Sequence, residues 1–383
     1  MKTAAIISCN DNYDYDTRTK YVRNYLEAKG YNVTFVVADF DHRNKKKYKA
    51  DHTDTIKYIK VPTYKKNLSV RRIVSHFVFA HKVASYISKE AFDLVYHCAP
   101  PNSTIRTLSS VKKHQDFTLI TEIGDMWPET MPISSKLKKI LKIPFCVWSG
   151  LRDRYLYNSN IIISECDLFA DKIRKNTKLD SIRTMYFCKQ AQFINASITE
   201  YSKEKLNLCY LGSINNIIDL NVIGKLVSAL SRSIEVDVHI IGDGEKKDEL
   251  ISIISKAGGN PIFYGKIFEE EKKREIFSSC HYALNVMKSD VFVGMTMKSL
   301  DYFSYGLPMI NNIGADIGNM VANNDIGFNI NESNIEDVAK LIFTTSAEEY
   351  ITMRQEVQRL HEKYFSIESF YRKMESFKIE GLR

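Results

Sequence analysis

The chain has 383 residues, 44% hydrophobic and 26% charged, which suits two soluble globular domains and excludes disordered, collagen-like and coiled-coil classes. Lys and Arg number 54 against 46 Asp and Glu, a formal charge of +8 that favours an anionic partner such as a nucleotide or a phospholipid surface. No run reaches the roughly 18–20 apolar residues of a membrane span, and the basic residues fall in small scattered clusters (Lys45-Lys46-Lys47, Lys65-Lys66, Arg71-Arg72, Lys112-Lys113), which argues against a nucleic-acid partner.

The first eight residues hold an apolar run too short for a signal peptide, and 4–8 reads as a strand. Asp16 or Thr17 can cap a helix that carries Tyr21, Tyr25 and Leu26 and stops at Gly30. A β-branched strand follows at 32–37 and ends in Asp39. Further strands are predicted at 55–61, 94–97, 118–122 and 161–164, with a helix over 70–88. The pattern then repeats. Strand 207–211 closes on Gly212, and Asp219 can cap a helix with Ile223, Leu226, Val227 and Leu230 on one face. Strand 236–241 runs into Gly242-Asp243-Gly244, and strand 261–264 ends at Gly265. Strands at 282–286 and 309–310 complete the set.

Continuous apolar strands alternating with helices predict parallel sheets covered on both faces. The fold class expected is α/β, with two Rossmann-like doubly wound domains. They occupy residues 1–188 and 206–365, joined by a linker at 189–205. In such sheets ligands bind beyond the carboxyl ends of the strands, so the residues just past the strands are the candidates. His97, taken as the residue following a strand, is one of them. The seven cysteines are odd in number, widely spaced and free of any CxxC, which predicts reduced thiols in a cytoplasmic protein rather than disulfides or zinc. Asp14-x-Asp16 and Asp39-x-Asp41 have the spacing of metal-binding carboxylates, but loop carboxylates are the plainer reading. Gly242-x-Gly244 lacks the third glycine of a dinucleotide fingerprint.

The most informative stretch is 294–308. Thr296 can cap a short helix that ends at Gly306 and Pro308, with Lys298 in its first turn and Asp301 on the same face. Free N–H groups and a Lys at a helix N-terminus make a diphosphate cradle. A carboxylate along that face can accept hydrogen bonds from two adjacent hydroxyls, such as those of a ribose. A plain Lys298–Asp301 surface pair is the alternative.

This stretch resembles the donor-binding signature of GT-B glycosyltransferases of family 4, with Asp301 at the acidic position where Glu is usual. The resemblance extends over most of the chain. Tyr210-Leu211-Gly212-Ser213 is similar to the glycine turn that opens the C-terminal domain, His239 to Gly244 to its "IIGDG" strand end, and Tyr264-Gly265-Lys266 to the next turn. Glu122 to Glu129 resembles the "RDLWPE" segment of bacterial polysaccharide-assembly members, and Asp16-Thr17-Arg18 their early "D-x-R" element.

The resemblance implies a GT-B fold, its two domains facing a cleft, with a helix at 366–383 returning to the N-terminal domain. It implies a retaining glycosyltransferase that takes a nucleotide-sugar, a UDP-sugar, and needs no metal or other cofactor. Gly212, Ser213, Gly242, Lys266, Lys298 and Asp301 would bind the donor, and Asp125 would act at the transferred sugar or the acceptor. The acceptor implied is a surface-polysaccharide or glycoprotein glycan, or a polyprenyl-diphosphate-linked sugar. Many members place an Arg directly after the glycine turn, a Lys further on, and a second Glu before the acidic helix; here Ser213, Asp219 and Val293 stand there. Asp219 reads as a helix N-cap. Arg18, Lys266 and Lys288 are the cations left to compensate, with Asp290 a weak stand-in for the missing Glu. These losses also suit a degenerate chain acting as a non-catalytic partner subunit or glycan-binding module.

Between 132 and 151, Lys138, Lys139 and Lys142 alternate with Leu137, Ile140, Leu141 and Ile143, followed by Trp148. Such a basic amphipathic stretch suits either an anionic membrane surface, at the inner face of the membrane, or an ordinary helix with a solvated lysine face.

Overall fold

A computed structural model describes residues 1–11, 17–48, 55–131, 133, 135–194 and 204–379; Asp14, Asp16, Pro132 and linker residues 195–203 lie outside the described residues. The chain divides into two compact units, Met1–Phe187 with Phe370–Arg383, and Cys188–Ser369.

The first unit largely alternates strand and helix, with β2 and β3 adjacent in order and α4 followed by α5. Its strands are β1 (Lys2–Ser8), β2 (Tyr31–Ala38), β3 (Ile56–Ile59), β4 (Leu94–Ala99), β5 (Thr118–Ile123), β6 (Ile161–Ser164) and β7 (Ile182–Thr184). Its helices are α1 (Arg18–Ala28), α2 (Val70–Ile87), α3 (Asn102–Lys112), α4 (Ser135–Ile140), α5 (Lys142–Asp153) and α6 (Asp167–Thr177). The strands form one parallel sheet in the order β3-β2-β1-β4-β5-β6-β7. One core layer joins Ala5, Ile7, Val36, Val95 and Leu119 of the sheet to Phe79 and Val83 of α2 and Leu108 of α3. These β-branched and aliphatic runs have no polar face because helices cover both sides.

The second unit repeats the scheme. Its strands are β8 (Lys205–Leu211), β9 (Glu235–Ile241), β10 (Asn260–Gly265), β11 (Tyr282–Asn285), β12 (Met309–Asn311) and β13 (Gly327–Asn329). They pair in parallel in the order β10-β9-β8-β11-β12-β13. The helices are α7 (Leu220–Leu230), α8 (Lys247–Lys256), α9 (Glu270–Ser278), α10 (Met297–Ser304), α11 (Ala315–Asn323), α12 (Ile335–Thr344) and α13 (Ala347–Tyr364). Helix α14 (Ile367–Ser376) starts in this unit, and from Phe370 onward it belongs to the first. There Phe370 packs on Tyr21 (ring centroids 6.1 Å apart), and Glu375 pairs with Lys29 at 2.8 Å.

Two predicted caps differ in outcome. Asp219 Oδ1 accepts the Val222 N–H at 3.1 Å and starts α7 as its spacing predicts. Thr17 precedes α1 but makes no side-chain cap; its hydroxyl donates instead to Asp11 at 2.8 Å.

The entry to α1 is held by charge. Arg18 is buried, donates to Glu122 of β5 at 2.6 Å and to the Met185 carbonyl at 2.8 Å, and lies 4.2 Å from the Phe187 ring. Glu122 also accepts the Tyr96 hydroxyl at 2.6 Å. Removing one member of such a pair strands the other charge in a dry interior. Arg18→Met is expected to destabilise the protein by about 3–5 kcal/mol. The double substitution Arg18→Met/Glu122→Leu should recover much of that loss, as read by urea denaturation.

Candidate functional site

Three adjacent strands of the second unit, β8, β9 and β10, reach glycine at their carboxyl ends. Gly212, Gly242 and Gly265 have φ of +126°, +144° and +73°, a region that L side chains avoid. The turns are tied together: Gly212 N–H donates to the Ile241 carbonyl at 2.9 Å, and Gly242 N–H to the Gly265 carbonyl at 2.7 Å. A Cβ on Gly242 would sit 1.9 Å from the Gly212 oxygen. Only glycine allows that approach, and the approach exposes main chain rather than side chains past β8. Ser213 points to solvent, with its carbonyl held by the Tyr210 hydroxyl at 2.9 Å.

Helix α10 is aimed by its cap and by one tyrosine. Thr296 Oγ1 accepts the Ser299 N–H at 3.1 Å, and the Tyr302 hydroxyl accepts the Leu211 N–H at 2.8 Å. The second bond fixes α10 against the end of β8. Lys298, in the first turn, is only 8% exposed. Its Nζ has no hydrogen-bond partner and lies 5.0 Å from the Tyr210 ring centroid. Burial lowers its pKa from 10.5 to about 7.

Asp301 does not pair with Lys298. It accepts from Lys189 and lies 3.7 Å from Lys273. Lys189 also reaches Glu270 at 3.2 Å, which accepts Lys273 and the Tyr305 hydroxyl, both at 2.6 Å. Burial works to raise the Glu270 pKa, but the hydrogen bonds from Lys273 and Tyr305 and the charge of Lys189 outweigh it and bring it down to about 2. Neither Lys189 nor Glu270 stands out in the sequence, because their partners are distant along the chain. Lys266 is exposed and 3.9 Å from Asp243, Lys288 and Asp290 are exposed past β11, and Asp219 is committed to its cap.

In the first unit, Asp125 lies two residues past β5 and accepts the Thr130 hydroxyl. Burial raises its pKa, against hydrogen bonds from Thr130, Trp127 and Met126 and the charge of Arg72. Arg18 is taken up by Glu122, so its guanidinium is a structural tie. His97 is not past the strand end, because β4 continues to Ala99. It is fully buried, both ring nitrogens lack partners, and burial lowers its pKa to about 3. The 132–151 stretch is two helices, α4 and α5. Lys139 and Lys142 are exposed, Lys138 donates to the Glu129 carbonyl at 3.2 Å, and Trp148 sits edge-on to Trp127 at 5.8 Å. Among the described residues no group of three His, Cys, Asp or Glu is placed to hold a metal, and no helix is long and apolar enough to cross a membrane.

Residues 205–346 match the family described as Glycosyl transferases group 1. No curated protein sequence matches the chain significantly. Among solved structures, sucrose-phosphate synthase from Thermosynechococcus elongatus is similar at a TM-score of 0.70 and 12% identity, covering 99% of each chain. The lipopolysaccharide outer core galactosyltransferase WaaB, in its apo form, follows at 0.66 and 13%, again over 99% of each chain. Anabaena HepE in complex with UDP-glucose aligns at 0.61 and 12%, over 99% of this chain and 100% of that one. The fold class is that of the GT-B glycosyltransferases, two Rossmann-like parallel-sheet domains in one chain.

Lys298 offers a direct test of the site. Its pKa is lower folded than unfolded, so the unfolded chain binds more protons between pH 7 and 10.5 and stability rises with pH across that window. Lys298→Met, close in volume, is therefore expected to raise Tm at pH 7 by about 2–4 °C, with the gain shrinking towards pH 10. A merely structural lysine would lose stability on replacement; differential scanning fluorimetry across pH distinguishes the two.

Proposed function

We propose that the protein is a glycosyltransferase of the family 4 type that moves a sugar from a UDP-sugar to a glycan acceptor with retention of configuration. The observation that carries this reading is Lys298: a buried ammonium with no hydrogen-bond partner, 5.0 Å from the Tyr210 ring near the carboxyl end of β8, inside the segment that matches Glycosyl transferases group 1. The UDP-glucose in the HepE structure supports the choice of donor.

A diphosphate seated over Gly212-Ser213 would meet main-chain dipoles and the Lys298 charge, which need no metal to neutralise it. The acceptor hydroxyl attacks the anomeric carbon, the bond to the diphosphate breaks, and the leaving oxygen takes the hydroxyl proton. Lys298 holds the negative charge that develops there, in a dry setting where such an interaction is strong. Asp301 would exchange Lys189 for the two ribose hydroxyls, with Lys266 and Gly242 flanking the turn. Asp125, its carboxyl pKa raised by burial, serves the transferred sugar or acceptor. Acceptors of the surface-polysaccharide, glycoprotein or polyprenyl-diphosphate-linked kind fit a bacterial assembly enzyme that works at the inner membrane face. A second reading, a non-catalytic partner subunit, is favoured by Ser213 and by the commitment of Asp219 to capping.

Calorimetry with UDP, GDP, ADP and their sugar conjugates separates the two. The expected result is a preference for UDP compounds, weakened about tenfold in Asp301→Ala, equivalent to about 1.4 kcal/mol. Wild-type affinity should fall from pH 6 to 8.5 as Lys298 loses its proton, and Lys298→Met should show weak, pH-flat binding. No binding to any nucleotide would remove the enzymatic reading and leave the subunit.

A further inference from the structure

Lys189 faces two carboxylates of the second unit at once. Its Nζ pairs with Asp301 and lies 3.2 Å from Glu270 Oε1. The main chain around it is fixed. The Lys189 N–H donates to the Phe365 carbonyl at 2.9 Å, the Gln192 N–H to the Ser304 carbonyl at 2.7 Å, and the Ile194 N–H to the Tyr305 carbonyl at 3.3 Å. Arg274 of α9 donates to Gln192 Oε1 at 2.5 Å. The segment is thereby anchored to the ends of α10 and α13, and the flexible four-carbon stem of Lys189 is the part that can swing.

The two carboxylates differ in how they are held. Glu270 Oε1 accepts Lys273 and Oε2 accepts the Tyr305 hydroxyl, both at 2.6 Å, and both donors are buried. Those bonds orient Glu270 as a carboxylate whether or not Lys189 adds to them. Asp301 is held less firmly. Among the described residues its one other ion-pair partner is Lys273 at 3.7 Å, beyond hydrogen-bond reach. The setting also differs from that of Arg18 and Glu122, whose side chains are 3% and 2% exposed; those of Lys189 and Asp301 are each 21% exposed. A pair at the edge of water is weak and exchangeable, whereas a dry one cannot open without stranding charge.

We propose that Lys189 is a built-in competitor for Asp301, and that Glu270 receives its ammonium when a ligand's vicinal hydroxyls take the Asp301 carboxylate. The two hydroxyls donate charge-assisted hydrogen bonds to Asp301, which outweigh one half-wet ion pair. Lys189 then shifts wholly to Glu270, already 3.2 Å away, by side-chain rotation alone. Asp301, Glu270, Lys189 and Lys273 carry two negative and two positive charges before and after, so no ion is left stranded. Glu270 is thus a positioning residue: it touches no ligand and acts through Lys189. A nucleotide without those hydroxyls leaves the Lys189–Asp301 pair closed. The inference rests on the glycosyltransferase reading above, which puts the donor ribose at Asp301.

Calorimetry on the full chain with UDP and 2′,3′-dideoxy-UDP tests it, read as the ratio of the two affinities. The ratio cancels what the loss of a cation does to attraction for the diphosphate. Lys189→Met should raise the ratio about fivefold, equivalent to about 1 kcal/mol, because the competitor is gone. Glu270→Gln should lower it about threefold, because Lys189 is then left to Asp301, and this loss should shrink in the Lys189→Met background. Asp301→Ala should bring the ratio to about one. An unchanged or smaller ratio in Lys189→Met overturns the proposal. If Lys189→Met does not fold, Glu270→Gln decides: a lower ratio supports the exchange and an unchanged one overturns it. UDP binding that Asp301→Ala leaves intact also overturns it, yet spares the glycosyltransferase reading. Absence of any UDP binding to the wild type removes that reading and the exchange together.

Discussion

Every strand pairing in both sheets is parallel, and that constraint organises the rest of the molecule. A parallel neighbour can be reached only by a crossover, so helices cover both faces and leave little sheet surface for chemistry. What remains open is the edge where the strands stop. The second unit exploits that edge by ending three neighbouring strands in glycine, so that main chain from β8 and β9 closes to a distance no side chain permits. The candidate donor residues sit there, positioned by α10 through one tyrosine hydrogen bond.

Pairing separates the buried cations into two kinds. Arg18 and Arg152 each meet carboxylates, and Lys189 bridges Asp301 and Glu270. These are ties between elements. Lys298 carries its charge into dry surroundings with neither a carboxylate nor a hydrogen-bond partner. Chains tolerate that where a ligand supplies the counter-charge, which is why perturbed groups collect at sites.

Much of the scaffold is legible along the chain. Residues 161–164 form a strand with the predicted bounds, and Asp219 and Thr296 cap their helices as their spacing predicts. The glycine turns are visible as punctuation at the ends of apolar runs. The three-residue strands β7 and β13 are not, because edge strands this short need no apolar run. Side-chain partnerships were the harder part. Asp301 and Lys298 share a helix face in sequence, yet Asp301 turns to Lys189, 112 positions away. His97 looks like a strand-end residue until two further residues of β4 are counted. Arg72 reads as half of a surface dipeptide; only the packing of Trp127 shows that it is buried. Periodicity reports which face a residue takes and is silent on what it meets there.

Helix α14 carries a consequence for biosynthesis. The first unit combines residues 1–187 with 370–383, so Tyr21, Tyr25 and Lys29 of α1 meet Phe370, Tyr371 and Glu375 only from a distant part of the chain. A ribosome at about 5–20 residues per second finishes the seven-stranded sheet well before that helix emerges. For that interval α1 keeps a bare aromatic face, and the whole second unit must be synthesised before it is covered. The unit that begins to fold first is therefore completed only after the other has been synthesised.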